Sequence, residues 1–305
     1  MVNDLKKNTC NEKKLVSVII TTYGREEKLL LEAIKSVQNQ SYQNIEIIII
    51  DDNGKGSELQ RKNEILLKKY TDIIYIANIV NSGAQISRNK GILRASGEYI
   101  ACLDDDDIWV KDKIEKQVKL MEKEKLDLVF CNGYRFYNNN INNRKIYQIN
   151  FISNRIIDFN TELKNDCIGS TSHPLMRKEC FAKTGLFDID MPARQDYEMW
   201  LRFCKYYKVK GINEPLFYYR YHDGDRITKS YKKEITSYKL LLKKYREDYK
   251  KDSIAKAYIL FILSKTYLKN KNIFSFFKYS INAMLINPKV VFKIILNHYN
   301  RKSQF

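Results

Sequence analysis

Aspartates fall in three places where their spacing could do chemistry: Asp51-Asp52, the run Asp104-Asp105-Asp106-Asp107, and Asp196. Four consecutive carboxylates repel one another, so a half-buried set of them needs a cation. Oxygen ligands this hard suit Mg2+ or Mn2+, which keep part of their water shell and grip a substrate's phosphates. A run of like charge on a solvated loop would need no metal. This run, however, interrupts the apolar strand Ile100-Ala101-Cys102-Leu103 and is followed at once by Ile108-Trp109. That is where perturbed, functional carboxylates are found.

The elements that must position these acids are legible in the hydrophobic pattern. Residues 15–22 (LVSVIITT) form a short β-branched run that ends at Tyr23-Gly24, which predicts a buried strand. Leu29, Leu30, Ala33, Ile34 and Val37 have helical spacing over 26–38. Further strands are predicted at Ile45–Ile50, Ile73–Ala77, Tyr99–Leu103 and Leu126–Cys131. Helices are predicted at about 57–70, from the Asn81-Ser82-Gly83 turn to Ala95, and over Lys113–Lys123. Strands that alternate with helices, each a near-continuous apolar run, predict an α/β fold with a mostly parallel sheet covered on both faces. Right-handed crossovers put the strand-to-helix loops, and hence the acids, on one edge, where open α/β sheets bind ligands.

The period changes after about 133. Asn138–Asn143 reads as a polar loop in an irregular hairpin, 168–222 as short strands with a helix over Asp196–Tyr206, and everything from Tyr231 as helix. This divides the chain into a domain over 1–225 and a helical C-terminal segment over 226–305. In that segment Ala255, Tyr258, Ile259, Ile262, Leu263 and Tyr267 make one apolar face, and Phe274, Phe277, Ile281 and Met284 make another.

Composition excludes several classes. The 305 residues are 44% apolar with only four prolines, so the chain is neither collagen-like nor wholly disordered. No apolar stretch approaches the roughly 20 residues of a membrane span, and the first residues lack the apolar core of a secretory signal. A cytoplasmic location is expected. The six cysteines form no C-x-x-C pair, and neither a zinc ribbon nor a redox pair is readable. The net charge of +18 suits phosphate-bearing partners. The chain is nevertheless rich in Lys, Asn, Ile and Tyr throughout, and it has no recognition motif for nucleic acid, so none is expected as a partner.

The strings VSVIITTYGR, IEIIIIDDN and NSGAQISRNKGILRASGEYIACLDDDDIW, followed by RQDYEMWLR (194–202) and YYRYH (218–222), resemble family 2 glycosyltransferases of the GT-A fold, in order and at family-like spacing over about 16–225. The resemblance implies a nucleotide-sugar half at about 15–132 and an acceptor half at about 133–225. It matches Thr21 and Tyr23 to residues that hold the nucleotide, with the tyrosine on the base. Asp52 matches the acid that reads an imide N–H and so favours uracil or thymine. Arg88 matches the basic residue near the diphosphate. Asp104-x-Asp106 matches the D-x-D motif, with Asp105 on the ribose side and Asp106 on the Mn2+ or Mg2+. Asp107 and Trp109 are expected to cap and pack the next helix.

By the same resemblance Asp196 is the catalytic base. It would take the proton from an acceptor hydroxyl while that oxygen attacks the anomeric carbon. Such displacement inverts the anomeric configuration. The implied partners are a nucleotide-sugar donor and a glycan acceptor, free or lipid-linked, of the kind used in capsule or O-antigen synthesis. Departures also occur: Gln195 stands where the family has Glu, and Gly24 where it has Asn. His222 either ligates the metal, as in some relatives, or is an ordinary loop histidine. Arg220 and Arg226 either ground the diphosphate or lie on the surface, and His173 either lines the acceptor pocket or is structural. The C-terminal helices are either a packing appendage or a basic amphipathic surface for anionic membrane. Two rivals stand beside the transferase: a sugar nucleotidylyltransferase, for which Thr22-Tyr23-Gly24-Arg25 is too poor in glycine, and a non-catalytic anion-binding scaffold.

Overall fold

Apolar runs and amphipathic helices alternate to build the first half of the fold. In the computed structural model, which describes residues 13–137, 140–147, 155–221 and 230–302, four strands lie parallel: β1 (Val16–Thr22), β2 (Ile45–Asp51), β3 (Ile73–Ala77) and β4 (Tyr99–Asp104). Their spatial order is β3-β2-β1-β4. The helices α1 (Glu27–Gln38), α2 (Glu58–Leu67) and α3 (Ala84–Arg94) connect them. Val16, Val18 and Ile20 face a core shared with Leu30, Ile34 and Val37 of α1, whereas Ile19, Ile48 and Ile50 face the opposite core with Ile92 of α3. Burial on both faces is why these strands read as unbroken apolar runs.

The register matters for the site. Thr21 pairs with Ile50 on one side and Asp104 on the other. The three strands therefore end at one level, and Tyr23, Asp52 and Asp105 leave the sheet side by side. Gly91 allows α3 to lie close on β1: a Cβ there would stand 2.4 Å from Ile19 Cγ2.

Beyond β4 the sheet ceases to be parallel. β8 (Leu175–Arg177) runs antiparallel to both β4 and β6 (Leu128–Tyr137), and β9 (Val209–Tyr221) lies parallel to β6. β5 (Ile108–Trp109) pairs antiparallel with β9, and β7 (Asn140–Tyr147) with β6. The polar stretch expected as a loop is thus strand in its described part, since Asn140 already pairs with Tyr137. It looks like a loop in sequence because β7 is an edge strand whose residues are mostly exposed. α4 (Lys113–Glu124), α5 (Phe159–Asn165), α6 (Phe181–Thr184) and α7 (Gln195–Tyr206) complete this part. Met199, Trp200 and Phe203 of α7 fill the core under the sheet.

The C-terminal helices are α8 (Tyr231–Lys244), α9 (Arg246–Lys251), α10 (Ser253–Lys269), α11 (Ile273–Ile286) and α12 (Pro288–Lys302). Tyr238, Leu241, Tyr245, Ile259 and Leu263 share one cluster with Leu163 of α5 and with Tyr197 and Leu201 of α7. The segment is therefore welded to the helix that carries Asp196. Of its two expected apolar faces, the one through Ala255, Ile259, Leu263 and Tyr267 is buried, whereas Phe274, Phe277 and Ile281 are exposed. Cys102, Cys131, Cys167, Cys180 and Cys204 are all free and buried.

Candidate active site

The end of β1 meets the acidic run after β4. Tyr23 N–H donates to Asp105 Oδ2 at 3.3 Å. Gly24, at φ +64°, turns the chain in the left-handed region and donates its N–H to Asn53 Oδ1 at 2.8 Å. Arg25 then reaches back to the acids: its Nε donates to Asp105 and its Nη2 to Asp106. Burial pushes the Asp105 carboxyl up to about 7 although Arg25 pulls it down. Asp107 is pushed well above the carboxylate range by burial and by Asp106 and Asp104 beside it. The repulsion expected within the run is present, and a guanidinium offsets it.

Asp104 faces a different cation. Arg88, buried on α3, donates from Nη2 to Asp104 Oδ1 at 2.7 Å, and Thr171 Oγ1 donates to the same oxygen at 3.1 Å. Arg88 Nε and Nη1 are buried without a hydrogen-bond partner, and the guanidinium lies 5.9 Å from the centre of the Phe187 ring. Asp196 sits in the first turn of α7, half-buried, with Oδ1 accepting from Tyr197 N–H at 2.8 Å. Burial raises its pKa, and Arg194 and Arg88 oppose the rise while Asp104 adds to it. Asp104, Arg88 and Asp196, separated by up to 108 positions in sequence, thus form one electrostatic unit. The carboxylate at the helix start is also favoured by the backbone N–H groups there.

Arg194, which precedes α7, adopts φ +57°. It is held by Asp166 at 3.4 Å and Glu234 at 3.0 Å, so α8 helps to aim the residue beside Asp196. Glu198, buried one turn further along, pairs with Arg202 and Lys244 and accepts from Tyr245 O–H at 3.0 Å.

Several expected residues have other surroundings. Asp52 is 3% exposed, and its two oxygens accept from Asn78 Nδ2, Ser82 N–H and Gly83 N–H, each at 2.8 Å. Those bonds hold the turn that starts α3 and thereby place Arg88. Tyr23, by contrast, is 59% exposed at the sheet edge, and Thr21 is half-buried. Arg220 is not a surface residue. It is 3% exposed, with Nε donating to Asp106 O, N–H to Asp107 Oδ1 and Nη2 to Glu32. Asp107 therefore does not cap α4; Gln40 Oε1 accepts from Ile114 N–H there. Trp109 does pack, its ring under the Lys113 ammonium at 4.1 Å. His173 is fully buried, with Nδ1 within 3.0 Å of Ser170 O, and burial pushes its pKa down to about 3. It is a structural, neutral histidine. His222 and Arg226 lie outside the described residues.

Among the described residues no three His, Cys, Asp or Glu converge as a finished metal cage. The acidic run nonetheless fits a divalent cation: its oxygens are hard donors, and Arg25 already fills the demand for positive charge between Asp105 and Asp106. Arg25 was not singled out from sequence. The signal was available, as a basic residue just past a strand whose neighbour ends in four acids. Asn78 and Glu198 had no such signal.

Comparison with known proteins agrees with this geometry. The profile of Glycosyl transferase family 2 matches residues 17–185. An uncharacterized glycosyltransferase of Methanocaldococcus jannaschii is 32% identical over 96% of both chains. The Escherichia coli UDP-Glc:alpha-D-GlcNAc-diphosphoundecaprenol beta-1,3-glucosyltransferase WfaP is 33% identical, covering 73% of this chain and 83% of its own. The putative teichuronic acid biosynthesis glycosyltransferase TuaG of Bacillus subtilis is 33% identical over 69% of this chain and 80% of its own. Staphylococcus aureus TarS 1–349, solved in complex with UDP-GlcNAc, superposes with a TM-score of 0.58 at 14% identity, over 87% of this chain and 90% of that one. With the sheet order, the acidic run at the end of β4 and Asp196 at the start of α7, these matches show that the chain is a glycosyltransferase of the GT-A fold and belongs to glycosyltransferase family 2.

Proposed function

We propose that this enzyme transfers a sugar from a UDP-sugar to a hydroxyl of a surface-glycan acceptor, with inversion at the anomeric carbon and with Mn2+ or Mg2+ as cofactor. The observation that carries the reading is the coupling of Asp104, Arg88 and Asp196 in one site at the sheet edge. Asp196 accepts the hydroxyl proton as the acceptor oxygen bonds to the anomeric carbon, and the bond from that carbon to the diphosphate oxygen breaks. One displacement needs no enzyme nucleophile, and it inverts the centre. Arg88 places positive charge beside the departing diphosphate. A cation held by Asp106 and Asp104 would neutralise further charge on that leaving group. Tyr23 offers an exposed ring on which a uracil can stack, and Thr21 stands near the end of β1, two residues earlier.

The choice of uridine draws support from relatives: WfaP is named for UDP-Glc and TarS was solved with UDP-GlcNAc. The enzyme would work in the cytoplasm, where nucleotide-sugars are made. Incubation with UDP-, dTDP- and GDP-sugars, Mn2+ and short glycan acceptors tests the proposal. The expected product comes from one uridine donor, carries inverted stereochemistry by NMR, and disappears with chelator. Transfer that is unaffected by chelator, or that retains the configuration, overturns the mechanism.

A further inference from the structure

The two last helices carry a surface that glycosyl transfer does not use. On α11 the residues Phe274, Phe277, Ile281 and Leu285 recur at intervals of three and four and are 82%, 57%, 56% and 78% exposed. Phe292 and Leu296 of α12, four apart, are 57% and 60% exposed. The other side of α11 is already occupied: Tyr279 stacks on Tyr267 of α10 at 5.3 Å, and Ala283 and Val291 are buried against Leu260 and Phe261. Large apolar residues contiguous at this level of exposure mark an interaction surface.

Charge decides the occupant. Residues 253–305 contain nine Lys or Arg and no Asp or Glu, so half of the chain's net +18 lies in this segment. Lys278, Lys289 and Lys293 are exposed on the same two helices. A second copy would set this face against itself, like charge on like charge, with no acid in the segment to relieve it. An anionic lipid surface supplies both complements, acyl chains for the stripe and phosphates for the ammonium groups. Among the described residues no single helix is long and apolar enough to cross a membrane, and the chain bends by 117° between α11 and α12. That geometry suits helices lying in the plane of the interface.

We infer that α11 and α12 dock on an anionic bilayer, with Phe274, Phe277, Ile281 and Leu285 in the boundary between headgroups and acyl chains and the lysines on lipid phosphates. The inference does not depend on which donor the enzyme uses. Flotation of the full chain with vesicles of phosphatidylcholine alone, or with about 30% phosphatidylglycerol added, tests it. The protein should float at least roughly tenfold more with the anionic vesicles, and less so at high salt. The double variant Phe277→Ser/Leu285→Ser should lose flotation while keeping its circular dichroism and its binding of UDP, which separates docking from misfolding. Lys278→Glu/Lys289→Glu should abolish the preference for phosphatidylglycerol. Failure of the wild type to float with anionic vesicles overturns the inference, and concentration-dependent dimerisation in its place would assign the face to a second copy. Undiminished flotation of Phe277→Ser/Leu285→Ser overturns it equally.

Discussion

The guanidinium of Arg25 bridges two neighbouring acids, with Nε 3.0 Å from Asp105 Oδ1 and Nη2 2.7 Å from Asp106 Oδ2. It is an internal counterion in the place where a nucleotide-bound cation would be needed. Removing it should leave two buried carboxylates facing each other. Arg25→Met is therefore expected to lower the stability of the metal-free enzyme, by roughly 3 kcal/mol if the pair behaves as a buried one. The same variant should gain more from Mn2+ than the wild type does, read as a larger rise in Tm. An unchanged Mn2+ response would mean that Arg25 and the metal do not share these acids.

Asp196 and the acidic run should separate cleanly in kinetics. Asp196→Asn keeps the size of the side chain but cannot take a proton, so kcat should fall roughly 10^3-fold with donor binding retained. Steady-state rates together with donor titration check this. A loss of donor affinity equal to the loss in kcat would reassign Asp196 to binding.

Acid should switch the enzyme off at a higher pH than an unperturbed aspartate would set. Burial raises the Asp196 pKa, and Arg194 is the largest influence holding it down. Activity that needs the deprotonated form is lost as pH falls through that raised value. Arg194→Gln removes the counter-charge, so the acid limb of kcat/KM should move to higher pH, whereas Arg194→Lys should leave it near the wild-type position. A limb that does not move in Arg194→Gln would assign it to another group.

Buried His173 makes a separate prediction about stability. Its pKa is lowered from 6.5 to about 3 in the folded chain. The unfolded chain therefore binds the extra proton between those values, and the histidine's contribution to stability falls as pH drops through that window. The slope is at most about 1.4 kcal/mol per pH unit. Asp105, raised to about 7, works in the opposite direction over part of the range, so the difference between wild type and His173→Asn is the informative quantity. Denaturant midpoints from pH 7 downward should show that difference shrinking, and a constant difference would refute a buried neutral histidine.

The alternation of apolar runs and helices made β1 to β4 and their crossovers legible, because strands buried on both faces leave a simple pattern. The edge strand β7 was not legible, since its residues are polar and its pairing with β6 is long-range. The acids were visible as clusters, but their partners were not. Arg220 reaches Asp106 O from 114 positions away, and the left-handed φ of Arg194 has no signature in a residue type that rarely adopts it. Sequence likewise offered two apolar faces in the C-terminal segment without saying that α10 would bury one and leave Phe274 and Phe277 outside.

Calorimetry of UDP binding tests the central claim most directly. Titration of UDP should give a single site in the presence of Mn2+ and little heat with chelator. Binding should disappear in Asp106→Ala and persist in Asp196→Asn. UDP that binds equally well without metal, or equally well to Asp106→Ala, would contradict a cation held on the acidic run and with it the proposed route for the leaving diphosphate.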